Sequence, residues 1–446
     1  MAANAARLLL AGTGSGCGKT TVVSALLRAL QRRSVPLAAF KCGPDYIDPM
    51  FHTAALGVPS RNLDLFFVSE AQARADLAAH IPAGGLGIIE GAMGFYDGVS
   101  GGTDTASAAH LARATATPAV LIVRPQGQSL SLAAEIHGFR TFADNTLAGV
   151  ILNGVSRAML PFYREIAEKA GLRVYGCLPP VPEAALPHRH LGLVTADEIG
   201  GLQDRLYRLA DAAEQGLDLD GLAALARTAP PLRDKTPSLA PVCRKPVRIA
   251  LARDRAFCFY YADNLDVLRA LGAELAPFSP LEDAALPADI DGLYLGGGYP
   301  ELHADALAGN ASMRESVRDA VRNGLPTVAE CGGFQYLHQT LDGRPMAGAL
   351  PLHARMTDRL QPFGYVTLTA ARDNLLGRTG ASIRAHTFHY GVSDDEGDAF
   401  HAQKPNGRGW PCGCATDTLY AGYPHLYFRS NPAFAANFVR KCAGLR

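Results

Sequence analysis

Residues Ala6–Thr21 read ARLLLAGTGSGCGKTT, an apolar run that leads into a glycine-rich turn and then a helix beginning near Lys19. Such a turn aims backbone N–H groups and the positive end of the helix dipole at phosphate oxygens. Lys19 is spaced to reach the β- and γ-phosphates of ATP, and the Thr20 hydroxyl to bind Mg2+. Gly12, Thr13, Gly14, Ser15, Gly16, Cys17, Gly18 and Thr21 complete the expected cradle. Five residues separate Gly12 from Gly18, where the common phosphate loop has four. Strand, loop and Gly-Lys-Thr-Thr helix start nonetheless keep the required order, so a ligand-free turn is the weaker reading.

A second apolar run ends in FKCGPDYIDPMFH, Phe40–His52, with Lys41, Asp45 and Asp48 just past its carboxyl end. Open parallel sheets bind ligands at that edge. A third, IIEGAMGFYDG, brings Glu90 and Asp97 to the same edge, Glu90 holding the place of a Walker-B acid. Carboxylates crowded beside a nucleotide need a cation, and Mg2+ with oxygen ligands fits. Asp45 or Asp48 can also serve merely as a helix cap. Asn153, in VILNGV, either reads an adenine edge or forms a turn with Gly154.

The C-terminal half carries TVAECGGFQYL, Thr327–Leu337. A strand that meets Cys331, two glycines and a helical segment forms a strained elbow exposing a nucleophile. The helix dipole is expected to lower the thiol pKa, and a histidine to complete its activation. LYLGGGYPE, Leu293–Glu301, offers a backbone amide to pair with that of Gly332 in an oxyanion hole. His425, in YPHLYF, is the late histidine that a Cys/His hydrolase requires. His386 and His389 in AHTFHY, and His188 and His190 in PHRH, read as structural or substrate-facing.

These segments sit in a chain of 446 residues, 48% hydrophobic and 19% charged, enough for two or three buried cores. The 42 basic and 42 acidic side chains leave no net field that would draw nucleic acid. Nine cysteines are scattered, and the lone Cys412-x-Cys414 pair lacks zinc-ribbon spacing. The first apolar run is too short to span a membrane. A reducing, cytoplasmic enzyme with small-molecule substrates is expected. Apolar runs alternate with amphipathic stretches such as Thr20–Arg32 and Ala71–Ala79, the rhythm of a doubly wound, mostly parallel α/β sheet. The five prolines of TAPPLRDKTPSLAPVCRKP, residues 228–246, mark a connector between domains 1–227 and 247–446. Alternating β-type residues in the final third predict a more mixed sheet there.

GTGSGCGKTT, FKCGPDYIDPMFH, IIEGAMGFYDG, LYLGGGYPE, AECGGFQYL and YPHLYF occur together and in order, and the chain thereby resembles the cobyrinic acid / hydrogenobyrinic acid a,c-diamide synthases of cobalamin biosynthesis. The resemblance implies a dethiobiotin synthetase-like N-terminal domain and a class I glutamine amidotransferase-like C-terminal domain. It implies Cys331 as glutaminase nucleophile with His425 as base, and Gly297 and Gly332 near the oxyanion site. Lys19, Thr20 and the preceding loop would hold ATP, Lys41 and Asn153 beside it. Thr20, Glu90 and Asp45 would hold Mg2+, while Asp48 and Asp97 would face the reacting carboxylate of a corrinoid polycarboxylate. A homodimer is also implied. Ordinary class I enzymes carry a glutamate two residues after the histidine, where this chain has Tyr427, which leaves open what orients His425. Thr387 stands where the family often has Glu. Two other readings stay open: amidation of a nickel sirohydrochlorin, and a partition-type ATPase, which would leave Cys331 and His425 without a purpose.

Overall fold

The computed structural model describes residues 5–186 and 199–445, and the backbone of 188–189 and 192–193. Two compact units, Met1–Pro237 and Ser238–Arg446, divide within the proline-rich stretch. That stretch is tethered rather than free. In the first unit Pro230 O accepts from Arg7 (3.0 Å) and Asp234 pairs with Arg74 (2.8 Å). In the second, the Val242 amide donates to Leu271 O (2.9 Å).

In the first unit seven strands form one sheet: β1 (Arg7–Gly12), β2 (Leu37–Lys41), β3 (Ser60–Asn62), β4 (Leu86–Gly94), β5 (Ala119–Val123), β6 (Leu147–Asn153) and β7 (Arg173–Leu178). Their spatial order is β3-β2-β4-β1-β5-β6-β7, with every pairing parallel. All residues of β1, β2 and β5 are buried, because helices cover both faces of a parallel sheet and leave no solvent side to mark by alternation. Leu10 and Lys41 both lie opposite Glu90 in the ladder, which brings the carboxyl ends of β1 and β2 beside that residue of β4. The observed α1 (Lys19–Arg32) and α2 (Ile47–Leu56) start from that edge.

Among the described residues the second unit has four sheets, two of them large. In the first, strands Ala273–Phe278, Val247–Ala252, Gly292–Leu295, Thr327–Glu330 and Leu419–Gly422 lie side by side and parallel, with Cys414–Ala415 antiparallel at one edge. The second is wholly antiparallel: Gly409–Cys412, Phe400–Gln403, Gly364–Ala370, Ser382–Thr387 and His425–Leu426. The expected mixed sheet is met by the antiparallel edge strand Cys414–Ala415, and a wholly antiparallel sheet accompanies it. In Gly364–Ala370 only Val366, Leu368 and Ala370 are buried, and this alternation packs one face against the apolar residues of the parallel sheet. The nucleophile candidate follows a strand of one sheet, and the base candidate sits on a strand of the other.

Candidate functional site

The phosphate loop closes between β1 and α1, with Gly16 and Gly18 at positive φ (78° and 88°). A Cβ on Gly18 would lie 2.1 Å from Asn153 Nδ2, so glycine is required there by both conformation and space. Lys19 folds back over the loop, donating to Gly14 O (2.8 Å) and Met93 O (2.6 Å). Its ammonium is held below the ordinary lysine value, chiefly by burial. The Thr20 hydroxyl donates to Glu90 Oε1 (2.8 Å). Asn153 donates to Cys17 O (2.8 Å), pinning the loop, while Gly154 makes the left-handed turn (φ 76°).

Lys41 is enclosed at the end of β2, paired with Asp48 and with Glu90 Oε1 (2.9 Å). Burial works to discharge it, but the attraction of Asp48 and Glu90 prevails and holds it well above the usual lysine range. Lys41 is thus engaged by carboxylates, and Glu90 Oε1 is shared between it and Thr20 at the start of α1. Asp48 stays below the ordinary carboxylate value: burial raises it, and Lys41 and His52 more than offset that. Burial and Asp48 push Asp45 up to about 7; burial does the same to Glu90, also about 7. Asp45 Oδ1 accepts the Ile47 amide (2.8 Å), but the N-cap of α2 is Tyr46, so Asp45 steadies the entry to the helix from one residue outside it. Asp97 lies exposed on the same edge and accepts the Gly94 amide (2.7 Å).

Sequence reasoning gave no role to His52. It is buried beneath the cluster, its Nε2 3.6 Å from Glu90 Oε2, an oxygen with no hydrogen-bond partner among the described residues. Its spacing is that of a helix-core residue, so the sequence carries no signal of this placement.

In the second unit Cys331 adopts φ 49°, ψ −104°, the strained geometry of a nucleophile elbow. Its amide donates to Gly422 O (2.8 Å), tying the elbow to the strand that leads three residues later to His425. The histidine ring lies over Gly297, whose added Cβ would meet Cε1 at 2.3 Å. A Cβ on Gly332 would come 3.1 Å from the amide nitrogen of Gly298. The Gly298 amide therefore adjoins the elbow, next to Gly297, which also leaves room for the base. Gly296 N donates to the Tyr260 hydroxyl (2.8 Å), which fixes this loop.

The expected lowering of the thiol pKa does not occur. Burial pushes Cys331 up to about 12, Glu301 and Glu330 add to it, and the Gly332 amide only partly opposes them. His425 is driven down to about 3 by burial, with His386 and His389 adding to it. At neutral pH both partners rest uncharged. His386 lies directly opposite His425 across the antiparallel pair, and His389 stacks on Tyr423 with centroids 3.8 Å apart. Both sit in the wall behind the base. The side chain of His188 and the whole of His190 lie outside the described residues.

The chain matches two family profiles. Residues 8–194 match the CobQ/CobB/MinD/ParA nucleotide binding domain, and residues 248–433 the CobB/CobQ-like glutamine amidotransferase domain. The cobyrinate a,c-diamide synthase of Methanothermobacter thermautotrophicus is 41% identical, with 97% of this chain and 99% of that protein aligned. That of Thermoplasma volcanium is 38% identical over 98% and 97%. Among solved structures, PurLQS from Thermotoga maritima aligns with 45% of this chain and 98% of its own, at 16% identity and a TM-score of 0.32. With relatives of that identity along nearly its whole length, the chain belongs to the cobyrinate a,c-diamide synthase family.

Proposed function

We propose that this protein converts the a and c acetate carboxylates of cobyrinic or hydrogenobyrinic acid into amides, using ATP and glutamine. The observation that carries the reading is the pairing, in one chain, of a phosphate cradle edged with carboxylates and a cysteine elbow beside a buried histidine. We assign the synthetase to residues 1–227 and the glutaminase to 247–446, joined through 228–246.

In the glutaminase, Cys331 sulfur attacks the carboxamide carbon of glutamine as His425 takes the thiol proton. Because thiol and imidazole are both neutral at rest, the ion pair forms only when bound substrate draws on it. We assign the oxyanion site to Gly297 and Gly332, with the adjoining Gly298 amide, which a Cβ on Gly332 would approach to 3.1 Å. Ammonia leaves with the proton from His425, and water hydrolyses the thioester to glutamate. In the synthetase, an acetate oxygen of the macrocycle attacks the ATP γ-phosphorus and ADP departs. The acyl phosphate so formed is open to ammonia, which a free carboxylate is not. Ammonia displaces phosphate to give the amide, and two rounds give the diamide. Lys19 neutralises charge on the transferring group, Asn153 secures the loop, and Asp97 and Asp48 border the acceptor side.

The residues fit Mg2+. Thr20 and Glu90 already converge, Glu90 Oε2 lacks a hydrogen-bond partner among the described residues, and the donors are hard oxygens. Thr20, Glu90 and Asp45 would hold the ion, which when bound offsets charge on the phosphates. The balanced net charge favours small-molecule partners over nucleic acid, and among the described residues no helix is long and apolar enough to cross a membrane. We place the enzyme in the cytoplasm, as a homodimer on the strength of the family resemblance.

Cys331→Ala is expected to abolish amidation from glutamine and to spare amidation from ammonia; Lys19→Ala to stop both while sparing glutamine hydrolysis. Loss of both nitrogen sources in a folded Cys331→Ala protein overturns the division of labour. Mass spectrometry of products from cobyrinic acid, hydrogenobyrinic acid and nickel sirohydrochlorin identifies the macrocycle.

A further inference from the structure

We propose that Glu330 orients His425 and selects its tautomer, supplying from the nucleophile's own strand the carboxyl that other class I amidotransferases place two residues after the histidine. The proposal rests on the reading of Cys331 and His425 as the glutaminase pair. Glu330 ends the strand Thr327–Glu330, immediately before the elbow, and is 2% exposed. A carboxyl so placed is costly unless it is used or well partnered. Its Oε1 accepts the Leu426 amide at 3.0 Å, and its Oε2 stands 3.0 Å from the Tyr294 hydroxyl and 4.0 Å from His425 Nδ1.

Tyr427, in the place of the usual glutamate, donates its hydroxyl to Asp263 Oδ2 (2.9 Å). Asn264, next to that aspartate, donates to Leu426 O (2.7 Å) and accepts the Phe428 amide (2.8 Å). The strand bearing the base is therefore gripped at Leu426 from both sides, by Glu330 at the amide and Asn264 at the carbonyl. Grip at the residue after His425 fixes where the ring begins, and Oε2, 4.0 Å from Nδ1, biases which nitrogen carries the hydrogen.

For His425 to take the thiol proton at Nε2, its own hydrogen must reside on Nδ1. An oxygen lone pair facing Nδ1 favours that form. Oε2 keeps such a lone pair whether or not the carboxyl is protonated, since the Tyr294 hydroxyl can either donate to it or accept its proton. Glutamine in its place has no such freedom. Its oxygen must meet the Leu426 amide, so its NH2 faces Nδ1 and draws the hydrogen to Nε2, the form that cannot act as base.

The test compares Glu330→Gln with Glu330→Ala, in steady-state glutamine hydrolysis by the full chain, with Cys331→Ala as reference. We expect kcat for Glu330→Gln to fall about 100-fold or more, as far as for Glu330→Ala, with KM within about threefold and ammonia-dependent amidation unchanged. A merely structural clamp on Leu426 would be satisfied by glutamine, so near-normal kcat in Glu330→Gln with loss in Glu330→Ala overturns the proposal. Hydrolysis surviving in Cys331→Ala would instead sink the underlying reading. Nitrogen-15 histidine spectra of the unmodified protein, with His425 assigned by its absence in His425→Asn, give an answer that needs no Glu330 variant. The hydrogen on Nδ1 supports the proposal; on Nε2 it overturns it.

Discussion

Replacing Lys41 by methionine isolates what the buried cation does for the acidic edge. Methionine fills nearly the same volume and brings no charge. The lysine side chain is 5% exposed, and its Nζ lies 2.9 Å from Glu90 Oε1 and in contact with Asp48. Two unit charges at such a separation attract by about 6 kcal/mol at an effective dielectric constant of ~20. Much of that offsets the desolvation of the ions, and removing one member of a buried pair costs about 3–5 kcal/mol. The first unit of Lys41→Met is therefore expected to lose about that much at pH 7.5, measured by urea denaturation of the full chain, with glutamine hydrolysis reporting on the second unit. The loss should shrink at pH 5.5. Asp45 and Glu90 already sit at about 7 with Lys41 acting to lower both, so without it they hold protons more firmly still. A folded-state carboxyl pKa above the unfolded value means that the folded state binds the extra proton, and stability falls as pH rises through that window. Millimolar Mg2+ with ADP should restore part of the loss. A deficit under about 1 kcal/mol at pH 7.5, or an equal deficit at both pH values, would show that packing rather than charge governs this edge.

Gly297→Ala sets a Cβ 2.3 Å from His425 Cε1, so the base must move; glutamine hydrolysis should drop about 100-fold or more with ammonia-dependent amidation intact, both read by steady-state assay. Arg7, fully buried without a carboxylate, donates to Thr117 Oγ1, Ala5 O, Thr115 O and Pro230 O. Arg7→Met strands these acceptors and should destabilise the first unit by about 3–5 kcal/mol in urea, leaving glutamine hydrolysis unchanged. In the second unit burial lowers His338 and His389 to about 4 and His386 and His425 to about 3, and raises Glu330 to about 8. The unfolded chain binds protons at those histidines that the folded chain refuses, so stability should climb from pH ~4 to ~6.5. Between ~6.5 and ~8 the folded chain alone keeps the Glu330 proton, so stability should then decline; a pH series of denaturation curves checks both limbs, and Glu330→Gln should flatten the second.

How far the sequence revealed all this depended on whether a residue's role is carried by its neighbours along the chain. The phosphate loop and the elbow are local: strand, glycines and helix start lie within a dozen residues, and backbone geometry alone makes each a site. Both were legible, as were the parallel sheets, whose buried runs leave a plain mark. The separate antiparallel sheet was harder, since alternation shows which residues face inward but not which sheet they join. Charge state was harder again. A helix start beside Cys331 promised a lowered thiol, yet burial and two glutamates decide otherwise, and neither burial nor Glu301 is visible from the flanking glycines. Lys41 was legible as a residue of the ligand-binding edge, but its pairing with Glu90 depends on a cross-strand register that the sequence does not show. The same limit applies to what holds His425. The search for a glutamate two residues downstream finds Tyr427, while Glu330 stands 95 positions earlier and meets the base only because the parallel strand ending at the elbow and the antiparallel strand carrying the histidine converge at Leu426. A triad is defined by where its members meet in space, and one whose third member adjoins the nucleophile leaves in the sequence only an acid at a buried strand end, a position that nothing but chemistry justifies.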